Sequence, residues 1–578
     1  MAHHAPASAH ACAILLATLN AKYIHASLGL RYLLANMARY GGADLRQRTL
    51  LREFTIARKP QEVVDELLAS LGQGAGVKVI GFGVYIWNVL QTCEVIRLLK
   101  AQRPDIKVVL GGPEVSHETE GQAIVQLADH VITGWGDVSF PKLCHALLHG
   151  PKPLMKIIPG EQPPLDQIDL PYADYSDADL AHRLLYVEAS RGCPFKCEFC
   201  LSSLDKTAWA FDLDAFLAEL EGLYQRGARN FKFVDRTFNL KIDASVRILQ
   251  FFLDRLTDDL FVHFEVIPDH LPDRLKTMIA QFPPGVLQFE VGIQSFNVEV
   301  QQRISRKQDN DKTEANLRWL VSESNAHLHT DLIFGLPGES LASFAQGFDR
   351  LHSLQPHEIQ LGILKRLRGT PIARHTLEHG MVYESEPPYT VLQTHAVSRA
   401  EMQRFTRLAR YWDLVANSGR FARTLAVLMQ GASPFWAFMA FSDWLWHTTG
   451  QTSGLTPEAL VDALFDYLTQ ALAVPRLDAT QDDAAWRNTV RQTLLADYLA
   501  SGARARPACL REVLPAQPAP MPRHKRALAE RQDRHAPHHP TSVHVEPMSV
   551  RPELVEGFAR LRQAQPERNE PERSEDVA

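Results

Sequence analysis

The chain has 578 residues, 45% of them hydrophobic, and a formal net charge of −6 at pH 7. That length predicts several domains with ordinary buried cores, and the charge shows no basic excess of the kind nucleic-acid binding needs. Seven cysteines, three of them in one short loop, exclude a disulfide framework and fit a reducing cytoplasm.

The apolar run 11–19 lacks a basic leader and ends in Asn20-Ala21-Lys22, so it reads as a first strand and not a signal peptide. No later run is long enough to span a bilayer; the nearest, 425–446, is broken by Gln430, Ser433, Pro434 and Asp443. Apolar runs at 13–19, 77–84, 108–110 and 130–133 alternate with helical patterns at 27–38, 61–71, 89–101 and 139–148. Strand–helix alternation with apolar strands predicts an α/β domain over 11–150, a Rossmann-like parallel sheet covered on both faces. Such sheets bind ligands at the carboxyl ends of their strands. Gly81, Gly83, Gly111-Gly112-Pro113 and Gly134-Trp135-Gly136-Asp137 fall there, although ordinary strand-end turns would look the same.

A Pro-rich linker occupies 151–183, with Pro163-Pro164 its sharpest break. A second series follows over 184–372. Its strands are predicted at 185–189, 231–234, 262–266, 287–292, 329–333 and 358–363, and its helices at 212–225, 244–256, 312–322 and 341–354. Strand–helix units in series predict a partial (β/α)6 barrel with its site at the carboxyl ends of the strands. Residues 373–504 turn helical and hold Trp412, Trp436, Trp444, Trp446 and Trp486; the aromatic cluster from Phe435 to Trp446 fits either a substrate cavity or plain helix core. From 505 to 578 Pro, Arg, Gln, Glu and His dominate, a composition that predicts disorder. Within it, 549–565 resembles a translated bacterial intergenic repeat, and His535, His538 and His539 could hold a metal adventitiously.

The chemistry concentrates in Arg191-Gly192-Cys193-Pro194-Phe195-Lys196-Cys197-Glu198-Phe199-Cys200. Three thiolates can hold three irons of a [4Fe-4S] cube and leave the fourth iron open. A zinc site completed by His182 or His263, a redox pair with a spare thiol, and coincidence remain as alternatives on spacing alone. The flanking Arg-Gly and the Phe between the last two cysteines resemble the cluster loop of radical S-adenosylmethionine (SAM) enzymes. Two further segments, Gln288–Gln308 and Asp331–Glu339, resemble the branch containing oxygen-independent coproporphyrinogen dehydrogenase, Elongator-type acyltransferases and cobalamin-dependent radical enzymes. The coproporphyrinogen enzyme carries another cysteine after the loop, where Leu201-Ser202-Ser203 stands here.

The resemblance implies roles. Cys193, Cys197 and Cys200 would hold the cluster, Phe199 would sit beside the adenine, Gln294 and Asp331 would bind ribose hydroxyls, Arg306 would pair with the SAM carboxylate, and Asp235 would contact the methionine ammonium. An α/β domain ahead of such a barrel resembles the cobalamin (B12) domain of class B radical SAM enzymes, and Thr18–Gly29 with the helical block resembles a bacterial subgroup of them. His25, Ser27, Gly81, Gly111, Gly112 and Gly134 are then the cobalamin candidates. The Asp-x-His-x-x-Gly signature of a lower cobalt ligand is absent: Tyr23 stands for Asp and Leu28 for Gly. The implied activity is reductive cleavage of SAM to a 5′-deoxyadenosyl radical and methylation of an unactivated carbon in a small molecule or peptide, with flavodoxin or ferredoxin as reductant. Rearrangement or ring formation with the same cofactors, and a non-catalytic cobalamin or iron–sulfur sensor, are the rival readings.

Overall fold

The structure, a computed structural model, describes residues 12–71, 76–471 and 483–514. The first eleven residues, the histidines at 535, 538 and 539, and the 549–565 repeat lie outside them. The chain divides into two compact units between Gln403 and Arg404.

The first unit opens with a six-stranded sheet. Its strands are β1 (Ile14–Asn20), β2 (Thr49–Thr55), β3 (Val79–Gly83), β4 (Lys107–Gly111), β5 (His130–Thr133) and β6 (Ile157–Pro159), ordered β2-β1-β3-β4-β5-β6 and parallel throughout. Successive side chains of β1 enter opposite cores. Leu15, Ala17 and Leu19 meet Val63, Leu67, Val95 and Leu99, while Ile14 and Leu16 meet Leu34, Met37, Phe140 and Leu147. Burial on both faces is why the central strands read as unbroken apolar runs. The two edge strands, β2 and β6, are absent from the predicted set. Only one side of an edge strand is paired, and β2 reads Thr-Leu-Leu-Arg-Glu-Phe-Thr, too polar to register as a run.

The second sheet begins with β7 (Leu185–Val187). A two-residue antiparallel pair, β8 (Ser190–Arg191) with β9 (Trp209–Ala210), brackets the cysteine loop. Then come β10 (Asn230–Phe233), β11 (Phe261–Val266), β12 (Leu287–Gln294), β13 (His327–Phe334) and β14 (Glu358–Ile363), in the parallel order β14-β13-β12-β11-β10-β7. This is the predicted open (β/α)6 barrel. Alternate residues obey two environments. Phe231, Phe233, Phe264 and Phe289 are buried in the aromatic core with Phe216 and Phe252. Lys232, His263, Glu265, Glu290, His329 and Asp331 take the other parity, and Lys232 and His263 both pair with Glu290 at 3.2 Å. Before the next helix a small hairpin, β15 (Val382–Tyr383) with β16 (Val391–Gln393), interrupts the block predicted as helical.

The second unit is helical, with helices Ala422–Leu428, Pro434–Thr449, Pro457–Asp466 and Asp483–Ala500. Its aromatic cluster is packed core: Phe435, Phe438 and Phe441 are buried, and Phe438 meets Trp412 edge-on at 4.9 Å. Residues 505–514, at the head of the predicted tail, are folded. Leu510 is buried, and the N–H groups of Ala508 and Cys509 donate to Asp462 at 3.0 and 2.9 Å. Among the described residues no helix is long and apolar enough to cross a membrane.

Candidate functional site

The cysteine loop leaves the carboxyl end of β7 and is held at both ends. Gly192 has φ +83°, and a Cβ there would lie 2.6 Å from the Thr207 hydroxyl, so only glycine fits. The Cys193 N–H donates to the Asp205 carbonyl (2.8 Å) and the Glu198 N–H to the Ile304 carbonyl (3.1 Å). The Glu198 carboxylate is buried between His375 Nε2 (2.8 Å), the Ser305 hydroxyl (2.5 Å) and Arg374. Burial is the main influence raising the Cys193 thiol, and the neighbouring Cys200 and Cys197 add to it.

The spacing of the sulfurs bears on which metal they suit. Zinc thiolates sit about 2.3 Å from the metal, which holds sulfurs roughly 4 Å apart. Among the described residues, only His375, Glu378 and His379 form a trio of ligating side chains with donor atoms all within 4.8 Å. Cys193, Cys197 and Cys200 form no such trio. His263, one of the two histidines that could close a zinc site, is instead paired with Glu290 inside the barrel.

Beside the loop lie three other residues, Gln294 and Asp331 on neighbouring strands and Arg306 beyond them. Gln294 has φ +69° at a bulge in β12, and its amide folds back where a Gly292 side chain would lie (2.5 Å). Asp331 pairs in register with Gly292 on the neighbouring strand. Gln294 Oε1 and Asp331 Oδ1 are both buried without a hydrogen-bond partner. Burial, with Glu290 and Glu265 nearby, holds the Asp331 carboxyl well above the usual range. Arg306 bridges the two parts: its Nη1 lies 3.7 Å from Cys197 Sγ, its Nη2 donates to the Gly292 carbonyl, and Gln308 accepts from its Nε at 3.0 Å. Phe199 is half-buried in the loop itself.

Asp235, the residue expected to contact the methionine ammonium, lies just past β10. It is buried, and its two oxygens accept from the Ala189 N–H (3.0 Å) and the Ser190 hydroxyl (2.5 Å), which ties the entry of the loop to β10. Next to it, Arg236 Nη1 donates to both oxygens of Glu265 (2.6 and 2.7 Å).

At the carboxyl end of the first sheet lies a cavity of roughly 290 Å³. Gly81, Gly83, Gly111, Gly112 and Gly134 form its strand-end wall; Tyr32, Trp135, Asp137, Glu188 and Arg191 form another.

The family model described as B12 binding domain matches residues 14–144, and that of the radical SAM superfamily matches 187–351. The chain carries a B12-binding domain followed by a radical SAM domain. A third model, for a protein of unknown function (DUF4080), matches 377–546. Among curated proteins, the chain is 25% identical over 376 residues to 2-(S-pantetheinyl)-carbapenam-3-carboxylate methyltransferase of Streptantibioticus cattleyicolor, covering 56% of this chain and 54% of that one. It is 26% identical over 327 residues to the cobalamin-dependent radical SAM methyltransferase TokK of Streptomyces tokunonensis, covering 50% and 47%. The chain thus spans about half the length of these relatives. Its fold is similar to that of the cobalamin-dependent SAM radical enzyme OxsB solved with aqua-cobalamin and SAM, at a TM-score of 0.55 and 14% identity, covering 86% of this chain and 80% of that one.

The residues fit these groups. In the radical SAM domain, two orphaned buried acceptors beside an open three-thiol loop suit a ligand bearing hydroxyl donors, since an unmet buried acceptor costs about 1–3 kcal/mol. In the B12-binding domain the candidate glycines divide by purpose. A Cβ on Gly81 would strike the Phe140 ring at 2.6 Å, and one on Gly112 the Val84 carbonyl at 2.5 Å, so these two serve packing. Gly134 faces open space, and a Cβ on Gly111 would meet only the Ile132 carbonyl at 3.8 Å.

His25 and Ser27 are not among the residues of the cavity wall. The Tyr186 hydroxyl engages His25 Nδ1 at 2.8 Å, and the Leu184 N–H donates to the Ile24 carbonyl at 3.0 Å, which clamps this loop to the first barrel strand. Ser27 caps helix Leu28–Gly41 by accepting from the Leu30 N–H. Sequence reasoning placed Trp135 and Asp137 in a strand-end loop but missed Arg191, Glu188 and Tyr85 as wall residues. Arg191 and Asp137 stood inside quoted motifs, but nothing local pointed one at the other.

Proposed function

We propose that this chain is a cobalamin-dependent radical SAM enzyme that methylates an unactivated carbon of a small molecule or peptide. What carries the reading is a wall shared by the cavity of the B12-binding domain and the cysteine loop: Arg191 lines the cavity, and two residues on Cys193 begins the thiol set. Cys193, Cys197 and Cys200 would hold three irons of a four-iron cluster and leave one for SAM. Gln294 and Asp331 would accept from ribose hydroxyls. The Arg306 guanidinium, beside Cys197, would bring positive charge to the SAM carboxylate. Phe199 would lie against the adenine. When bound, cluster and SAM supply a carbon radical and cobalamin supplies a methyl group. The chain's contribution is position and the exclusion of water, with the Lys232–Glu290 and Arg236–Glu265 pairs available to orient a polar substrate.

Reconstituted without oxygen, the protein is expected to bind about four irons and one cobalamin per chain. Given flavodoxin or ferredoxin as reductant, it should release 5′-deoxyadenosine and pass label from methyl-labelled SAM to a product detected by mass spectrometry in cell extract. Release of 5′-deoxyadenosine with no labelled product would replace methylation by rearrangement or ring formation. No release from a fully loaded protein would leave only the sensor reading.

A further inference from the structure

We propose that Arg191 and the 134–137 loop form a mechanical link through which cobalamin binding and cluster assembly strengthen each other. The inference rests on the cavity being the cobalamin site.

Two separate contacts make the link. The Arg191 guanidinium forms a two-point ion pair with Asp137 (2.9 and 3.1 Å), with both side chains nearly buried, and its Nε donates to Glu188 at 2.7 Å. The same guanidinium stacks over the rings of Tyr32 at 4.3 Å and Trp135 at 4.9 Å. Independently, the Trp135 indole N–H donates to Asp205 Oδ2 at 2.8 Å. Asp205 in turn receives the Cys193 N–H on its carbonyl (2.8 Å) and the Thr207 hydroxyl on Oδ1 (2.7 Å). One loop of the B12-binding domain therefore grips the cysteine loop from both flanks, at Arg191 before the first thiol and at Asp205 after the last.

Tyr32, Trp135, Asp137, Glu188 and Arg191 are at the same time the wall of the cavity. A ligand filling the cavity packs against Trp135 and Arg191 only in the arrangement that also holds Asp205 and Cys193. A cluster fixing the three thiols restrains the same wall from the other side. Two ligands that favour one arrangement of a shared element must each raise the other's affinity by the same factor. Trp135, Asp137 and Arg191 are then positioning residues, acting on the cluster through the loop and not by touching it.

The test is the affinity of anoxic full-length protein for hydroxocobalamin, measured by equilibrium dialysis with the cluster reconstituted and again after iron is removed by chelation. Coupling of this kind typically amounts to about 5- to 150-fold, so the loaded protein should bind about tenfold more tightly. Trp135→Phe keeps the ring but loses the N–H to Asp205, and Asp137→Asn keeps the shape but loses the charge. Each should lower the ratio and the double variant should bring it close to one, while every variant still binds cobalamin and still takes up iron. Arg191→Lys should restore part of the ratio lost in Arg191→Ala. A residue that merely supports the fold would lower both affinities and leave their ratio alone. A ratio of one in the parent protein, or the parent's ratio in Trp135→Phe and Asp137→Asn, overturns the link while the cobalamin assignment stands. No cobalamin binding by the parent in either state overturns both.

Discussion

Asp235 and Glu339 are carboxyls that burial pushes up to about 7, each relieved only in part by a serine hydroxyl, Ser190 in one case and Ser295 in the other. A free carboxyl titrates near 4, so the folded chain holds these two protons over a range where the unfolded chain has lost them. Their contribution to stability is full below about pH 4 and is lost as pH rises to about 7. The double variant Asp235→Asn/Glu339→Gln should therefore melt with a flatter dependence on pH between 5 and 7.5 than the parent, as followed by circular dichroism. Parallel curves would show that the two groups ionise normally. At this scale the sequence was informative wherever a residue type has one strong use. Three close cysteines stand out at sight, and the motif singles out Gln294 and Asp331 as residues to test. Asp235 is different in kind, because a carboxylate at a strand end serves equally to bind a ligand or to tie down a loop, and its two short contacts show that it does at least the second.

At the scale of elements, the glycines of the first sheet show how one residue type meets two demands. Gly81→Ala drives a methyl into the Phe140 ring and should cost about 1–3 kcal/mol, read from chemical denaturation. Gly111→Ala meets nothing closer than 3.8 Å, so it should melt like the parent and lower cobalamin affinity instead. The reverse pattern would mean that the cavity is not where cobalamin binds. Legibility followed burial here too. Central strands buried on both faces were placed correctly because their apolar runs have no other use in an α/β domain. The edge strand β2 and the two-residue pair β8–β9 were missed because a half-paired or very short strand has almost no periodicity to detect. The pair β8–β9 nevertheless decides where the thiols begin.

At the scale of the first unit, a buried ionic network joins the first domain to the segment entering the barrel. Glu53 of β2 accepts from Arg31 and Arg183 at 2.8 Å each, and Arg31 also reaches Asp179 at 2.9 Å. Arg31 pulls the Glu53 carboxyl below its usual range against the opposing effect of burial, and Arg183 adds to it. Glu53→Ala leaves the buried Arg31 and Arg183 to share Asp179 alone and should cost up to about 3–5 kcal/mol, whereas Glu53→Gln should recover part of that; equal melting of parent and Glu53→Ala would show the network to be idle. A second long-range set holds Glu114, which accepts from Arg368 at 2.9 Å and the Tyr389 hydroxyl at 2.6 Å across most of the unit's sequence.

By itself the sequence determined what local order can encode: two strand–helix series, a helical block, a three-thiol loop and the motif residues at the strand ends. Apolar periodicity and ligand spacing act over a few residues, so they survive in one dimension. Only the tertiary structure decided that Arg191 meets Asp137, that Trp135 reaches Asp205, and that His25 turns to Tyr186 and away from the cavity. Charged and polar side chains have no periodic signature, and each could pair with many partners. Which pairing forms is set by the order in which the strands assemble, and that order places the loop of one domain against the thiols of the other.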